Sequence, residues 1–123
     1  MGKIAKKGIR LNKRQIGATY EKKAKDLLLE KGYEILETNY RNRMGEIDII
    51  AKDRETICFI EVKFRTNGNF GSPLEAVDRR KQKQIRKVAM YYLMRHGGNE
   101  WTPCRFDVIA YQGESITHLE NAF

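Results

Sequence analysis

Three charged residues inside apolar stretches carry the chemistry that this sequence suggests. Asp48 interrupts an isoleucine-rich run, and Glu61 and Lys63 interrupt a second apolar run shortly after it. Ionised groups in the interior of a sheet are costly unless they are paired or bind a metal. Two carboxylates and a lysine on neighbouring strands are the components of a metal-dependent phosphodiesterase site. The alternative is a buried ion pair in which Lys63 neutralises Asp48 or Glu61.

Phosphodiester hydrolysis requires water to attack phosphorus in line while the charge on the phosphate oxygens is neutralised. Mg²⁺ or Mn²⁺ serves this purpose when oxygen ligands hold the ion. Asp48 and Glu61 offer two carboxylates, and the backbone carbonyl of Val62 is a further oxygen ligand. Residues two positions apart on a strand share a face at about 6.5–7 Å. Lys63 would therefore stand beside Glu61, where it can orient or help to deprotonate water, or stabilise the transition state.

Both runs within Met44–Arg65 are predicted to be β-strands, joined by a polar hairpin at residues 52–55. Alternation assigns the first strand to two faces: Glu46, Asp48 and Ile50 on one, and Ile47, Ile49 and Ala51 on the other. It assigns the second strand likewise: Phe59, Glu61, Lys63 and Arg65 on one, and Cys58, Ile60, Val62 and Phe64 on the other. The pattern therefore specifies the register of the pair.

The rest of the chain supplies the elements that position these strands. Besides them we predict two helices and three strands: Lys13–Lys31, Tyr33–Tyr40, Ser72 to about His96, Cys104–Gln112 and Ser115–Leu119. A break in the second helix near residues 78–80 is left open, and a basic loop at residues 39–45 should bring Arg41 and Arg43 beside Asp48. The order predicts an α/β sandwich with a mixed sheet, formed by residues 13–123 behind a basic flexible arm at residues 1–12.

Two further acids are open to more than one interpretation. Glu21 lies at the edge of the apolar stripe of the first helix, and helix geometry favours a solvent-exposed pair with Lys25. Asp107 lies within an apolar strand, where pairing with Arg105 or Arg41 is favoured over membership of the site.

A net charge of +8 and a pI near 9.6 favour a polyanionic partner. One face of the second helix concentrates cations without an acidic counterpart: Arg79, Arg80, Lys81, Lys83, Arg86 and Lys87. Such a face favours phosphate contact over a merely solvated surface. The predicted nucleic-acid contacts are Arg41, Arg43, Arg65, Arg79, Arg80, Lys81 and Lys83.

Several classes of protein are disfavoured. No apolar run reaches membrane-spanning length, and the basic N-terminus lacks a secretory segment. Cys58 and Cys104 are interpreted as small buried hydrophobes in a reducing cytoplasm. His96 and His118 have no companions at zinc-ligand spacing. We therefore expect a cytoplasmic protein without a membrane partner.

The motifs resemble a known family. Asp48 followed by Glu61-Val62-Lys63 resembles the D…E-x-K core of the PD-(D/E)XK nuclease superfamily. GEIDIIA at residues 45–51 and FIEVKFR at residues 59–65, with GATYEKKAKDLLLEKGYEILETNYR before them and FGSPLEAVDRRKQKQIRKVAMYYL and RFDVIAY after them, closely resemble the YraN-like family of small bacterial proteins. The resemblance covers about residues 15–123. More remotely, the chain is similar to archaeal Holliday junction resolvases.

The resemblance implies a restriction-endonuclease-like three-layer sandwich, a nuclease-like domain with a Mg²⁺ (or Mn²⁺) site, and DNA as the partner. It matches Asp48, Glu61 and Lys63 to the nuclease signature and Glu21 to the helix-one acid of the resolvase-like branch. Glu21 thereby becomes a predicted catalytic and metal-site residue, beside the metal ligands Asp48, Glu61 and Val62. Ile47 stands where the superfamily often has proline. Junction resolvases act as dimers, so a homodimer is among the implied partners.

Three hypotheses follow. The leading one is a metal-dependent endonuclease that hydrolyses phosphodiester bonds in DNA, with branched or structured DNA among its substrates. The second is a nucleic-acid-binding module of the same fold with weak or no catalysis. The third is a structural or adaptor protein in which the contact between Asp48 and Lys63 is only an ion pair.

Overall fold

The computed structural model describes residues 12–65, 75 and 77–123. The predicted basic arm, apart from residue 12, lies outside the described residues. The predicted start of the second helix at Ser72 lies outside them too.

The described residues form two helices and five strands. In chain order they are α1 (Lys13–Glu30), β1 (Glu34–Asn42), β2 (Gly45–Asp53), β3 (Thr56–Arg65), α2 (Arg79–Arg95), β4 (Cys104–Gln112) and β5 (Ser115–Leu119). The described helix α2 begins after Asp78, whose side chain accepts a hydrogen bond from the Lys81 N–H as an N-cap. A break in the helix near residues 78–80 was one of the alternatives that the sequence allowed.

The five strands form one sheet in the order β1-β2-β3-β4-β5. Strands β3 and β4 are parallel, and the other three neighbouring pairs are antiparallel. Helix α2 lies in the connection between the parallel strands, as a parallel crossover requires. Helix α1 packs on one face of the sheet and α2 on the other. The predicted mixed sheet in an α/β sandwich is therefore confirmed, with β5 at an edge.

Local sequence signals mark both ends of α1, and an apolar stripe packs each helix against the sheet. Asn12 and Gln15 make a reciprocal capping box at the start of α1, and Gly32, with a φ of +90°, follows its end. Ala24 and Leu28 on the predicted apolar stripe of α1 are fully buried. On the other face of the sheet, the buried residues of α2 are Ile85, Val88, Ala89, Tyr92 and Leu93.

The predicted faces of β3 are confirmed, but those of β2 are wrong at Ile47. Ile47 packs with Ile50 in the core beneath α2, whereas Ile49 packs in the core beneath α1. The change of face coincides with Asn39 on the paired strand β1, whose φ of +52° is left-handed. Asparagine tolerates this backbone conformation better than most residues. Simple alternation therefore fails beside Asp48.

The predicted basic loop at residues 39–45 is instead a tight hairpin. Strand β1 continues to Asn42, and Arg43 and Met44 form the turn before Gly45. Gly45 has a φ of +143°, a conformation that L side chains rarely adopt. The Gln84 side chain of α2 lies against Gly45, and its Nε2 donates to the Met44 carbonyl at 3.1 Å. This contact holds the hairpin against α2.

Asp107 is confirmed as the partner of Arg105. The Arg105 Nε–Oδ1 distance is 3.1 Å, and the same carboxylate accepts bonds from the Asn121 N–H at 2.9 Å and from His118, whose Nε2 lies 2.9 Å away. Burial alone would raise the pKa of Asp107, but the hydrogen bonds from His118, Arg105 and Asn121 hold that pKa below its ordinary value. Both oxygens of Asp107 therefore have hydrogen-bond partners, and the carboxylate has a structural role.

Cys58 is buried as predicted, whereas the prediction for Cys104 is wrong. Cys104 is exposed because it is the first residue of β4, at the end of the sheet. No helix among the described residues is long and apolar enough to cross a membrane.

Replacing Asp107 should destabilise the protein in a pH-dependent way. Asp107→Asn leaves the partly buried Arg105 and His118 without the buried carboxylate that they share, which should lower the free energy of unfolding by about 3–5 kcal/mol at pH 7. Because the folded-state pKa is lowered, the stabilisation is present above the unfolded pKa of about 3.9 and is lost as pH falls through the folded value. The measurement is urea unfolding of both proteins between pH 7 and pH 3.

The control is Asp26→Asn, which removes an exposed helical ion pair with Lys22 at 3.0 Å. It should lower the free energy of unfolding by no more than about 0.5 kcal/mol. Equal losses in the two variants would contradict the account of Asp107.

Replacing Gly45 should loosen the hairpin. A Cβ at Gly45 would lie 2.8 Å from the Gln84 Nε2 and would require a disfavoured φ, so Gly45→Ala should lower the free energy of unfolding by about 1–3 kcal/mol. Gly17 of α1 has open space around it, and Gly17→Ala should instead stabilise the helix by about 0.5–1 kcal/mol. Thermal unfolding compares the two. A neutral Gly45→Ala would show that this contact does not hold the hairpin.

Candidate active site

Asp48 lies where β2 and β3 separate. The β2–β3 ladder runs from Asp53 and Thr56 to Ile49 and Ile60. Beyond it, the Asp48 carboxylate accepts the Val62 N–H at 2.7 Å. A side chain thus replaces the backbone partner that a continued ladder would supply. The N–H and carbonyl of one residue in a strand point to the same edge, so the Val62 carbonyl faces the same gap.

Glu61 completes an acid pair with Asp48. The Glu61 side chain is only 6% exposed, Asp48 is partly buried, and their carboxyl groups hydrogen-bond to each other. Two lysines face Glu61: the distances from its Oε2 are 3.8 Å to the Lys63 Nζ and 3.6 Å to the Lys81 Nζ. The predicted neighbourhood of Glu61 and Lys63 on one face is therefore confirmed.

Burial raises the pKa of both acids. For Glu61, burial is the largest cause and the charge of Asp48 adds to it, while Lys81 and Lys63 oppose the shift. For Asp48, burial again outweighs the Val62 N–H, the hydrogen bond with Glu61 and the two lysines. Both carboxyls hold protons more tightly than usual, so the two lysines do not fully compensate the negative charge. A divalent cation would supply the missing positive charge.

Glu21 faces Asp48 from α1 across a cavity of about 610 Å³. We call this the active-site cavity; the described residues that line it are Lys13, Arg14, Gly17, Ala18, Glu21, Asn39, Arg41, Glu46 and Asp48. Burial and then the charge of Asp48 raise the pKa of Glu21, and a hydrogen bond with the Asn39 side chain opposes them. The predicted surface pair with Lys25 is thus replaced by a position facing the acid pair.

Sequence reasoning missed two residues of this site. Asn39 holds Glu21, and its one signal was an asparagine inside a strand, where that residue type is depleted. Lys81 was predicted only as a phosphate contact, yet it reaches Glu61 from α2. No local pattern indicated this contact, because it depends on how α2 crosses the sheet.

The acid pair suits a small hard cation. Among the described residues, no group of three or more His, Cys, Asp or Glu side chains is gathered closely enough to hold a metal. The structure brings Asp48 and Glu61 together and leaves Glu21 on the cavity wall, so its role as a ligand stays a prediction. Mg²⁺ is ordinarily bound through one or two carboxylates, with waters and substrate phosphates completing its shell. Two adjacent, incompletely compensated carboxyls fit that requirement.

The predicted nucleic-acid contacts fall into several positions. Arg41 pairs with Glu46 at 3.2 Å, and Arg43 lies at the hairpin turn. Arg65 ends β3 and Arg79 begins α2, and both are exposed. Arg86 of the basic face is exposed, and its guanidinium also lies over the rings of Phe106 and Phe123 at 4.8 and 5.6 Å.

Three cavities adjoin one another beside the acid pair. Arg41 and Glu46 line both the active-site cavity and a smaller cavity of about 290 Å³. The smaller cavity shares Met44, Lys81 and Gln84 with a third cavity of about 690 Å³. We call this third cavity the hairpin cavity; the described residues that line it are Met44, Asp78, Arg80, Lys81, Lys83, Gln84 and Lys87. A groove therefore leads from α1 past Asp48 to the basic face of α2.

The family model and the curated relatives that match this chain name the same family. The family model described as "Uncharacterised protein family UPF0102" matches residues 20–111, which include Glu21, Asp48, Glu61 and Lys63. The UPF0102 proteins of Clostridioides difficile and Alkaliphilus oremlandii are each 50% identical to this chain, over 92% and 89% of it and 100% and 98% of their own lengths. That of Lachnoclostridium phytofermentans is 47% identical over 92% of this chain and 96% of its own.

Removing one charge of the acid pair should stabilise the metal-free protein. Asp48→Asn keeps an oxygen acceptor for the Val62 N–H and removes a negative charge beside Glu61. We expect a gain of about 1–2 kcal/mol in the free energy of unfolding at pH 8. The measurement is urea unfolding in the presence of a chelator.

The control is Glu55→Gln, an exposed carboxylate in the turn between β2 and β3. It should change the free energy of unfolding by less than about 0.5 kcal/mol. A metal-free Asp48→Asn protein that is less stable than the wild type would contradict the account of the pair.

Proposed function

This chain belongs to the uncharacterised protein family UPF0102, the YraN family, and we propose that it is a metal-dependent nuclease that hydrolyses phosphodiester bonds in DNA. Branched DNA and single-stranded DNA are the substrates that we propose to test first.

The observation that supports this proposal most is the acid pair at the end of the β2–β3 ladder. Asp48 and Glu61 hydrogen-bond to each other, and burial raises the pKa of both although two lysines lie nearby. Raised pKa values of this kind oppose folding at neutral pH and are common at functional sites. An ordinary structural ion pair would have compensated its charges, as Asp107 does with Arg105.

Asp48 and Glu61 would hold Mg²⁺ or Mn²⁺, with the Val62 carbonyl as a further oxygen ligand and Glu21 assisting from α1. A bound divalent cation would neutralise phosphate charge and lower the pKa of water. The chain's own contribution is to fix these oxygens: the Val62 N–H holds Asp48 at 2.7 Å, and Asn39 holds Glu21.

Lys63 serves the attacking water. Its ammonium lies 3.8 Å from Glu61, beside the acids that hold the cation. From there it can orient the water and stabilise charge that develops on the phosphate in the transition state. The water oxygen bonds to phosphorus as the bond from phosphorus to the leaving oxygen breaks. One proton leaves the water and one proton reaches the leaving oxygen.

The cations of the groove would hold the substrate's phosphates. Arg41 lines the active-site cavity, Arg43 lies at the hairpin turn, and Arg80 and Lys83 line the hairpin cavity. Together with Arg65 and Arg79 they make the surface around the acids basic, so a polyanion can approach them.

A second candidate is a nucleic-acid-binding module without effective catalysis. Lys81 lies 3.6 Å from Glu61, nearer than Lys63 at 3.8 Å. A lysine in that place can take over part of the role of a metal ion. This candidate predicts DNA binding that weakens with salt and is unaffected by chelators, and no cleavage.

The test of the nuclease proposal is cleavage of labelled branched and single-stranded DNA with Mg²⁺ or Mn²⁺. Wild-type protein should cut, and a chelator should stop the reaction. Lys63→Ala should reduce the rate about 100-fold or more, because it removes the group beside the attacking water. Asp48→Asn should reduce it to a similar extent by removing a metal ligand.

The control is Lys22→Ala, which removes an exposed lysine that pairs with Asp26 on α1. Its cleavage rate should equal that of the wild type. Cleavage that persists unchanged in Lys63→Ala and Asp48→Asn would overturn the assignment, since it would come from a contaminating enzyme or another site.

A further inference from the structure

The hairpin cavity has the size and the position of a ligand site beside the acid pair. Its volume is about 690 Å³, within the range of roughly 300–1,000 Å³ that small-molecule sites occupy. The turn between β1 and β2 forms one wall and the first half of α2 forms the other. Lys81 lines this cavity and also lies 3.6 Å from Glu61, so the cavity adjoins the acids.

The charge of the cavity wall favours a phosphate-bearing ligand. Among the described residues, four cations line it: Arg80, Lys81, Lys83 and Lys87. Asp78, the one carboxylate among these described lining residues, is engaged as the N-cap of α2 and accepts the Lys81 N–H at 2.8 Å. The net positive wall therefore complements an anion.

Met44 adds an apolar surface that the turn holds in place. Met44 is 43% exposed. Its backbone is fixed on both sides, because its N–H donates to the Asn42 Oδ1 at 2.9 Å and its carbonyl accepts from the Gln84 Nε2 at 3.1 Å. A methionine thioether makes favourable contacts with aromatic rings. Apolar side chains of this kind contact bases where a strand is unstacked.

We propose that the hairpin cavity binds a single unpaired nucleotide next to the scissile phosphate. Met44 contacts the face of the base, and Lys83 and Lys87 bind its phosphate. This inference rests on the proposed function, whose substrate class it narrows. A base within a duplex must first be unstacked, at a cost of a few kcal/mol, whereas an unpaired base does not. The protein should therefore prefer single strands, flaps or junctions with an unpaired nucleotide over continuous duplex.

The test measures binding rather than cleavage. Fluorescence anisotropy in a chelator gives the affinity for a labelled single strand and for a duplex of the same length, at fixed salt. Met44→Ala should weaken binding of the single strand roughly 2- to 10-fold and leave the duplex unchanged. Met44→Phe should retain the wild-type affinity, because an aromatic ring offers the base a similar apolar surface.

The matched control is Met94→Ala, since Met94 is a 68% exposed methionine near the other end of α2. It should leave both affinities unchanged. Lys83→Ala should weaken single strand and duplex by a similar factor and reduce the salt dependence.

The outcomes separate this inference from the proposed function. Equal effects of Met44→Ala on single strand and duplex, or equal effects of Met44→Ala and Met94→Ala, would overturn the base site and leave the nuclease proposal standing. A selective Met44 effect in a protein that cuts nothing would support the base site while the nuclease proposal fails. Wild-type protein that binds no DNA would overturn the base site.

Discussion

The hydrogen bond from the Val62 N–H to the Asp48 carboxylate determines the shape of this site. The β2–β3 ladder ends at Ile49 and Ile60, so the Val62 N–H of β3 lies beyond the backbone pairing with β2. The Asp48 carboxylate accepts this N–H at 2.7 Å in place of a backbone carbonyl. Because a side chain takes over this role, the two strands can part without leaving the donor unsatisfied. The gap exposes the carboxyls of Asp48 and Glu61 to one another, and the groove past Asp48 opens beside them.

The sheet carries two sets of buried acids, Asp107 and the pair Asp48 and Glu61, and their surroundings shift the pKa in opposite directions. Asp107 receives hydrogen bonds from Arg105, His118 and Asn121, and its pKa is lowered. Among the described residues, Asp48 and Glu61 have fewer donors for two carboxyls, and the pKa of each is raised. The first cluster stabilises the fold at neutral pH, whereas the second opposes it. An acid pair that opposes folding is the arrangement expected of a site that needs a further positive charge from its ligand.

Much of the fold was predictable because each strand carries its own signal. The alternation along β3 predicted that Glu61 and Lys63 share a face, and the helical spacing of apolar residues predicted α1. The face of Ile47 was not predictable, because it depends on the left-handed backbone of Asn39 on the neighbouring strand. The contact of Lys81 with Glu61 and the packing of Arg86 on Phe106 arise from the way α2 crosses the sheet. Helix geometry alone gave Glu21 a surface role, and only the family resemblance indicated the site.

The central claim is that Asp48 and Glu61 share a divalent cation rather than a lysine. Diffraction from crystals soaked in Mn²⁺, recorded for its anomalous signal, tests this most directly. We predict one Mn²⁺ peak between the two carboxylates, with the Val62 carbonyl as a further ligand. The contradicting result is a site without Mn²⁺ in which the amine of Lys63 or Lys81 lies between the two carboxylates.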